Sequence, residues 1–323
     1  MSVSVSKIEI SKYKPNVPKR FEHLAPKELI SEHMEFQINN VSNAISNAIR
    51  RTITSELLVK AMKVDLKNIN DFEDSEKVHE DKFIISDMIE SRITMIPLRQ
   101  DVPKNAMFKL YYHNKSHEVA KVKTSELVQV SGETLKIMPF NTNIDLLHLQ
   151  PGKKVKINKI RINEDYGYNF APYTVAVNAV SVAVDQVPYN AYKKEGIKSS
   201  LSNPQVWKIA FNTNGTSPCK TIIKNACDNL IERVQLINDY LKLIENANDE
   251  YILHIKGESD TIGNLLMKTI TTLFPDIISV TYSTETFTRE LTVRIRCDED
   301  ISTIYEITIK HIVKIFTDIK KYF

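Results

Sequence analysis

Apolar residues recur every second position in two short stretches of this chain, and each stretch runs straight into a helical stripe. Met34, Phe36 and Ile38 alternate with Glu35 and Gln37, and Tyr251, Leu253 and Ile255 repeat the spacing around Ile252 and His254. A period of two predicts a strand buried on one face. Asn43 and Asp260 then stand at predicted N-caps, where a short polar side chain satisfies free backbone N–H groups. Beyond them Ala44, Ile45, Ala48, Ile49, Thr52 and Ile53 share one helical face, and Ile262, Leu265, Leu266, Thr269, Ile270 and Leu273 share another. Two longer stripes follow. Ser217 reads as a cap and Pro218 as the first helical residue, before Ile223, Cys227, Leu230, Val234, Ile237, Leu241 and Ile244. Asp298, Glu299 and Asp300 precede Ile304, Ile307, His311, Ile315, Ile319 and Tyr322, and Lys310, Lys314, Lys320 and Lys321 gather late, an order that suits the helix dipole.

The two strand–helix units are related in sequence. A constant shift of 217 lays Phe36–Leu57 on Leu253–Phe274 without a gap, and seven of the 22 pairs are identical: Ile38/Ile255, Ser42/Ser259, Ile45/Ile262, Asn47/Asn264, Thr52/Thr269, Ile53/Ile270 and Thr54/Thr271. Neither unit can bury its oily face alone. Packing one on the other about a pseudo-twofold axis solves the problem, as two subunits of a dimer would. The predicted contact joins Ile45, Ile49, Ile53, Leu230 and Ile237 to Ile262, Gly263, Leu265, Leu266, Ile270, Ile307 and Ile315. Gly263 aligns with Ser46, so a small residue is expected there, where the two helices approach closely. This predicts an α+β chain with one module from 1–57 and 206–245 and a second from 251–323, joined by a polar linker at 246–250.

Between the halves, 58–185 reads as β-rich, with strands at Leu58–Val64, Met107–Tyr112, Val119–Val122, Val155–Ile162 and Tyr173–Val184 and a turn at Gln150-Pro151-Gly152. Residues 186–205 read as an exposed loop, and the acidic run from Asp71 to Asp81 as a solvated one rather than a metal site. His113 and His117 flank Asn114-Lys115-Ser116, which reads as a hairpin turn.

Composition narrows the chemistry. A net charge of +3 over 323 residues is too small for a chain that grips nucleic acid by its overall field. Lys153, Lys154, Lys156, Lys159 and Arg161 nevertheless leave an alternative open, a nucleic-acid-binding β surface. Cys219, Cys227 and Cys297, without a Cys-x-x-Cys pair, read as packing residues and supply neither a disulfide framework nor a four-cysteine metal site. Seven glycines, no phosphate-cradling loop and no dense carboxylate run argue against a cofactor cradle or a two-metal nucleotidyl transfer centre. No apolar stretch approaches a membrane span and the first residues do not read as a signal peptide, so an intracellular soluble protein without cofactor, metal or catalytic residues is expected.

Asn43-Ala44-Ile45-Ser46-Asn47-Ala48-Ile49-Arg50-Arg51 resembles the first-helix motif of alpha-like subunits of multisubunit RNA polymerases. Asp81-Lys82-Phe83-Ile84 and Ser91-Arg92-Ile93-Thr94-Met95-Ile96-Pro97-Leu98 resemble that family's Arg-x-x-x-Ile-Pro-Leu element, and Leu149–Lys153 and Phe170–Tyr173 fall where its turns are expected. Gly257-Glu258-Ser259-Asp260-Thr261-Ile262-Gly263-Asn264-Leu265-Leu266 is similar to the signature of the small alpha-like partner, the eleventh subunit of the eukaryotic enzyme. The large partner, of third-subunit type, would end near residue 245. A fusion of both halves resembles those of large nucleo-cytoplasmic DNA viruses of the African swine fever virus type. The resemblance implies a noncatalytic scaffold of a DNA-directed RNA polymerase. It would hold the two largest subunits and small assembly subunits, meet DNA and RNA only through the complex, and pair its alpha-like halves within one chain. It implies a host-cytoplasmic viral factory, a virion or a nucleus as location. It also assigns Asn47, Arg50, Arg51 and Arg92 to contacts with the largest subunits. Two departures are expected: the metal-binding cysteine cluster of some cellular large partners has no counterpart here, and the DNA-binding module of bacterial alpha subunits is not expected after the last helix.

Overall fold

A computed structural model of the chain describes residues 3–12, 18–20, 31–64, 69–70, 79–130, 138, 143–184, 206–247, 250–285 and 288–323, with backbone alone at 69–70 and 79–86. The first alternating stretch forms β2 (Glu32–Asn39), which sits between β1 (Ser4–Lys12) and β11 (Val206–Thr213), with β10 (Ala176–Ala183) outermost. Register explains the alternation: Met34 lies opposite Phe211, Phe36 opposite Ile209 and Ile38 opposite Trp207, an inward apolar row. The second stretch forms β13 (Glu250–Lys256) in a sheet ordered β12 (Glu245–Ala247), β13, β15 (Glu290–Arg296) and β14 (Ser279–Glu285). Leu253 faces Val293 and Ile255 faces Leu291 there. Every strand pairing in both sheets is antiparallel.

Helix α1 (Asn43–Arg51) follows β2, and α3 (Cys219–Tyr240) follows β11; α4 (Asp260–Leu273) follows β13, and α5 (Ile301–Lys320) closes the chain. Helix α1 packs on α4, and α3 packs along α5. One continuous core results, running from Phe36, Ile49, Leu230 and Ile237 to Leu266, Ile270, Val293 and Phe316. The C-terminal Phe323 ring closes it edge-on against Phe36, with centroids 5.0 Å apart. Each such large side chain contributes about 1.5–3 kcal/mol on burial, so neither sheet with its helices could expose this face without a large penalty.

A second core lies beneath a sheet ordered β3 (Leu58–Val64), β9 (Lys154–Tyr166), β5 (Met107–His113) and β7 (Leu127–Gln129), with β4 (Ile69–Asn70) also on β9. Helix α2 (His79–Thr94) and the pair β6 (Ala120–Lys123) and β8 (Asp145–Leu149) complete it. Strand β3 serves both cores: Val59 and Ala61 point into the first, Met62 and Val64 into the second. Across the molecule, the Arg289 guanidinium stacks 3.7 Å from the ring centroid of Tyr168, tying the β14–β15 end to the turn after β9.

Several expectations are corrected. Ser42 and Ser259, not Asn43 and Asp260, occupy the caps of α1 and α4, and neither side chain bonds the helix end. Pro218 is itself the cap residue of α3. On α5 the inward face is Ile301, Ile304, Tyr305, Thr308, Ile309, Ile312, Phe316 and Ile319, so Ile307, His311 and Tyr322 are exposed and Ile315 is only half-buried. The run of four-residue steps from Ile307 follows a neighbouring stripe, rotated by roughly a fifth of a turn from the buried one. Gly263 does not mark the approach of α1 to α4. A Cβ there would lie 2.5 Å from Cδ2 of Tyr282 and 2.8 Å from Cδ1 of Leu291, so the glycine lets α4 settle onto its own sheet. Of the 246–250 linker, Asn246 and Ala247 pair with β13 as a hairpin arm and Glu250 opens β13, while 248–249 lie outside the described residues. The acidic run ends inside α2, while 71–78 lie outside the described residues, as do 186–205. The segment after His113 is no hairpin, since β5 and β6 belong to different sheets.

Gly263→Ala should cost about 1–3 kcal/mol through overpacking, read as a lowered unfolding midpoint. Combined with Tyr282→Ala it should cost clearly less than the sum of the two single changes, because the clash and its partner are then removed together.

Candidate functional site

Helix α1 does not stop at Arg51. It widens into a single π turn, Thr52–Glu56, in which the Thr54 hydroxyl donates to the Arg50 carbonyl at 2.7 Å. The turn carries Glu56 inward until it is buried. A carboxylate in that position must be paired or suffer a large desolvation penalty. Its partner is Arg233 of α3, whose Nη1 donates to Glu56 Oε2 at 2.6 Å. The same guanidinium grips Glu258, with Nη2 donating to Oε2 at 2.6 Å and Nε to Oε1 at 2.9 Å. Glu258 follows Gly257, whose φ of +79° makes the turn between β13 and α4. From the first turn of α4, the Thr261 hydroxyl donates to Glu56 Oε1 at 2.6 Å. Both carboxylates and the cation between them are therefore held by the end of α1, the body of α3 and the turn into α4.

The electrostatics follow from the geometry. Burial pushes the Glu56 carboxyl up, but the Arg233 charge, the Thr261 hydrogen bond and Arg51 outweigh it and leave its pKa lowered. Burial likewise works against the Arg233 cation, and Glu258 followed by Glu56 holds its pKa above the ordinary value. Arg51 forms the rim, with Nε 3.6 Å from Glu56 Oε1 and Nη2 4.0 Å from Asp260 Oδ2. A planar fork can satisfy two carboxylates along separate edges; a lysine ammonium cannot.

The sequence-predicted contact residues fall in two places. Asn47, Arg50 and Arg51 share α1, where Asn47 Oδ1 accepts from Arg50 Nε at 2.9 Å. Arg51 is tied inward to the buried cluster, whereas Arg50 remains half-buried on the flank. Arg92 lies on α2 with the second core, and its Nη1 donates to the Leu146 carbonyl at 2.8 Å. The four do not form one cluster. The basic β9 row is brought to one face by a bulge, since Leu110 pairs with Ile157 but Phe108 with Ile160. Lys156 and Lys159 are exposed there, while Lys154 and Arg161 are half-buried and already engaged.

Cys219 and Cys227 are buried, and burial first, with nearby Glu32 and Asp228 adding to it, pushes each thiol up to about 12. Neither is a thiolate at neutral pH. Among the described residues no three His, Cys, Asp or Glu side chains gather as a metal site. The segment after His113 is organised by buried Asn114, whose Nδ2 donates to the carbonyls of Leu149 and Glu118, each at 2.8 Å.

Arg233→Met should cost about 3–5 kcal/mol, because it strands two buried carboxylates. Adding Glu56→Gln and Glu258→Gln should recover much of that loss in denaturant titrations. The lowered Glu56 pKa gives a sign. Its contribution is complete above the ordinary carboxylate value of 4.5 and is lost as pH falls from there through the lower folded value. Glu56→Gln should flatten acid unfolding across that interval.

No family model matches the chain. It is 30% identical over 269 residues to the DNA-directed RNA polymerase RPB3-11 homolog of African swine fever virus, from a tick isolate of Malawi and equally from a pig isolate of Kenya. The match spans 75% of this chain and 75% of each relative. At that identity and coverage, the chain belongs to the RPB3-11 homologue family of viral DNA-directed RNA polymerase subunits.

Proposed function

We propose that the chain is a noncatalytic platform of a viral RNA polymerase, in which two alpha-like halves pair within one polypeptide and present an outer surface to the two largest subunits. The observation that carries this reading is the Glu56–Arg233–Glu258–Thr261 network. It joins residues from both sides of the 246–250 joint at the place where α1 meets α4 and α3 meets the π turn. The continuous apolar core across the same contact supports it. In this reading 1–57 with 206–245 form the large-partner module, 251–323 the small-partner module and 58–185 an inserted β-rich domain. The pairing is intramolecular, small assembly subunits join the same complex, and nucleic acid is met only through it. The work belongs to intracellular transcription, in a cytoplasmic factory, a virion or a nucleus.

Arg50, with Asn47 beside it, supplies the partner-facing surface. Its Nε donates to Asn47 of its own helix, which leaves the outer edge of the guanidinium fork for a carboxylate or carbonyl of a larger subunit. Arg51 contributes from the rim, and Arg92 marks a separate contact on α2.

Arg50→Glu should leave the unfolding midpoint of the isolated chain within about 0.5 kcal/mol of the parent. It should lower recovery of the two largest polypeptides in a native pull-down by about tenfold or more. Undiminished recovery would remove Arg50 from the interface. Arg51→Glu is a poorer probe, since it places a third carboxylate beside Glu56 and Asp260. Separately encoded pieces divided between Ala247 and Glu250 should co-purify when expressed together, and size-exclusion chromatography would read a single species.

A further inference from the structure

Strand β10 ends the first sheet, with β11 on one side and no described strand on the other. Such an edge presents unpaired N–H and C=O groups, and proteins usually guard it with charge, proline or brevity. The other outer strands here are guarded. β1 carries Lys7, Glu9 and Lys12, β14 ends on Glu285, β3 holds Lys60 and Lys63, β6 holds Lys121 and Lys123, and β8 begins with Asp145. β4, β7 and β12 have three residues or fewer. β10 has eight residues and none is charged.

Its outer face is apolar as well. Val180, Val182 and Val184 are 48%, 54% and 43% exposed at alternate positions, and on β11 the same face carries half-buried Val206 opposite Val184, Lys208 opposite Val182, turned to an ion pair with Glu35, and Ala210 opposite Val180. A bulge ends the regular pairing just before this run, with Asn178 at a φ of +56°. The Val184 N–H donates to the Val206 carbonyl at 3.0 Å. Alternation along a strand then turns the N–H groups of Val182 and Val180 toward β11 and those of Ser181 and Ala183 outward. The buried Ser181 hydroxyl, on this same edge, has no hydrogen-bond partner among the described residues.

We propose that this edge is completed in the assembled polymerase by an extended segment of another polymerase polypeptide. That segment adds a strand beside β10 and lays alternate apolar side chains on the valine strip. The occupant is a partner rather than a second copy on grounds of area. Two five-residue edges meeting about a twofold would bury only a few hundred Å², well short of the roughly 1,200 Å² of a stable interface. A strand added by a larger partner needs no such area of its own, because it extends a contact made elsewhere. The choice of a polymerase polypeptide rests on family membership and on the platform reading above, while the edge is independent of the Arg50 surface.

Hydrogen exchange tests it on the full chain, alone and within the affinity-purified polymerase. The Ser181 and Ala183 amides should exchange about tenfold or more slowly in the complex. Val182→Lys, and separately Ser181→Pro, which removes an outward donor while sparing the β11 ladder, should each deplete at least one polymerase polypeptide about tenfold. Val182→Thr, still β-branched, should deplete none. Unchanged exchange on assembly, or full recovery with Val182→Lys and Ser181→Pro both folded, overturns the proposal. Protection that instead grows with concentration of the isolated chain, together with a doubled mass in light scattering, assigns the edge to a second copy and overturns it too. Loss at this edge alone, with Arg50→Glu still depleting the largest subunits, leaves the platform reading standing. If the unmodified chain recovers no polymerase polypeptide, both readings fall.

Discussion

The guanidinium of Arg233 can stay in the interior only while Glu56 and Glu258 flank it. Each of the three charges would cost several kcal/mol if buried alone, and together they neutralise most of one another. This constraint reaches outward through the fold. Glu56 arrives because α1 relaxes into a π turn, Glu258 because Gly257 reverses the chain after β13, and Thr261 because it stands in the first turn of α4. If any of these ends moved by a few ångströms, an uncompensated charge would remain. The apolar contact between the helices supplies most of the stabilisation, but apolar contact is tolerant of sliding. The ion network is not, and it fixes which residues of α1, α3 and the β13–α4 turn meet.

Much of this architecture was legible from residue order alone. Alternation around Phe36 and Leu253 marked the central strands because each has one buried face, and the stripes on α1 and α4 marked the faces that are buried. The Gly257–Leu266 motif and the first-helix motif pointed to the polymerase family, which the viral relatives establish. Cap positions slipped by one because Ser42-Asn43 and Ser259-Asp260 each set two cap-forming residues side by side. On α5 isoleucines occupy two adjacent stripes, and only the packing against α3 selects between them.

The buried network was not legible. Arg233 and Glu56 are 177 residues apart, and Arg233 and Glu258 are 25 apart, so no local spacing links them. Arg233 sits one position from Val234 on the apolar stripe of α3, which was the available hint of a cation turned inward. Gly263 misled for a related reason. A small residue announces close approach without naming the neighbour, which proves to be the Tyr282 ring of its own sheet.

Strand β3 has a mechanical consequence. Val59 and Ala61 are committed to one core and Met62 and Val64 to the other, so the middle of the strand cannot shift without disturbing both. The other crossing between the two cores, at Gly167, is equally tight, since a Cβ there would lie 3.1 Å from the Ser55 backbone. Both crossings are closely packed. A displacement of one lobe against the other at either crossing would therefore have to break packed contacts rather than bend a free loop.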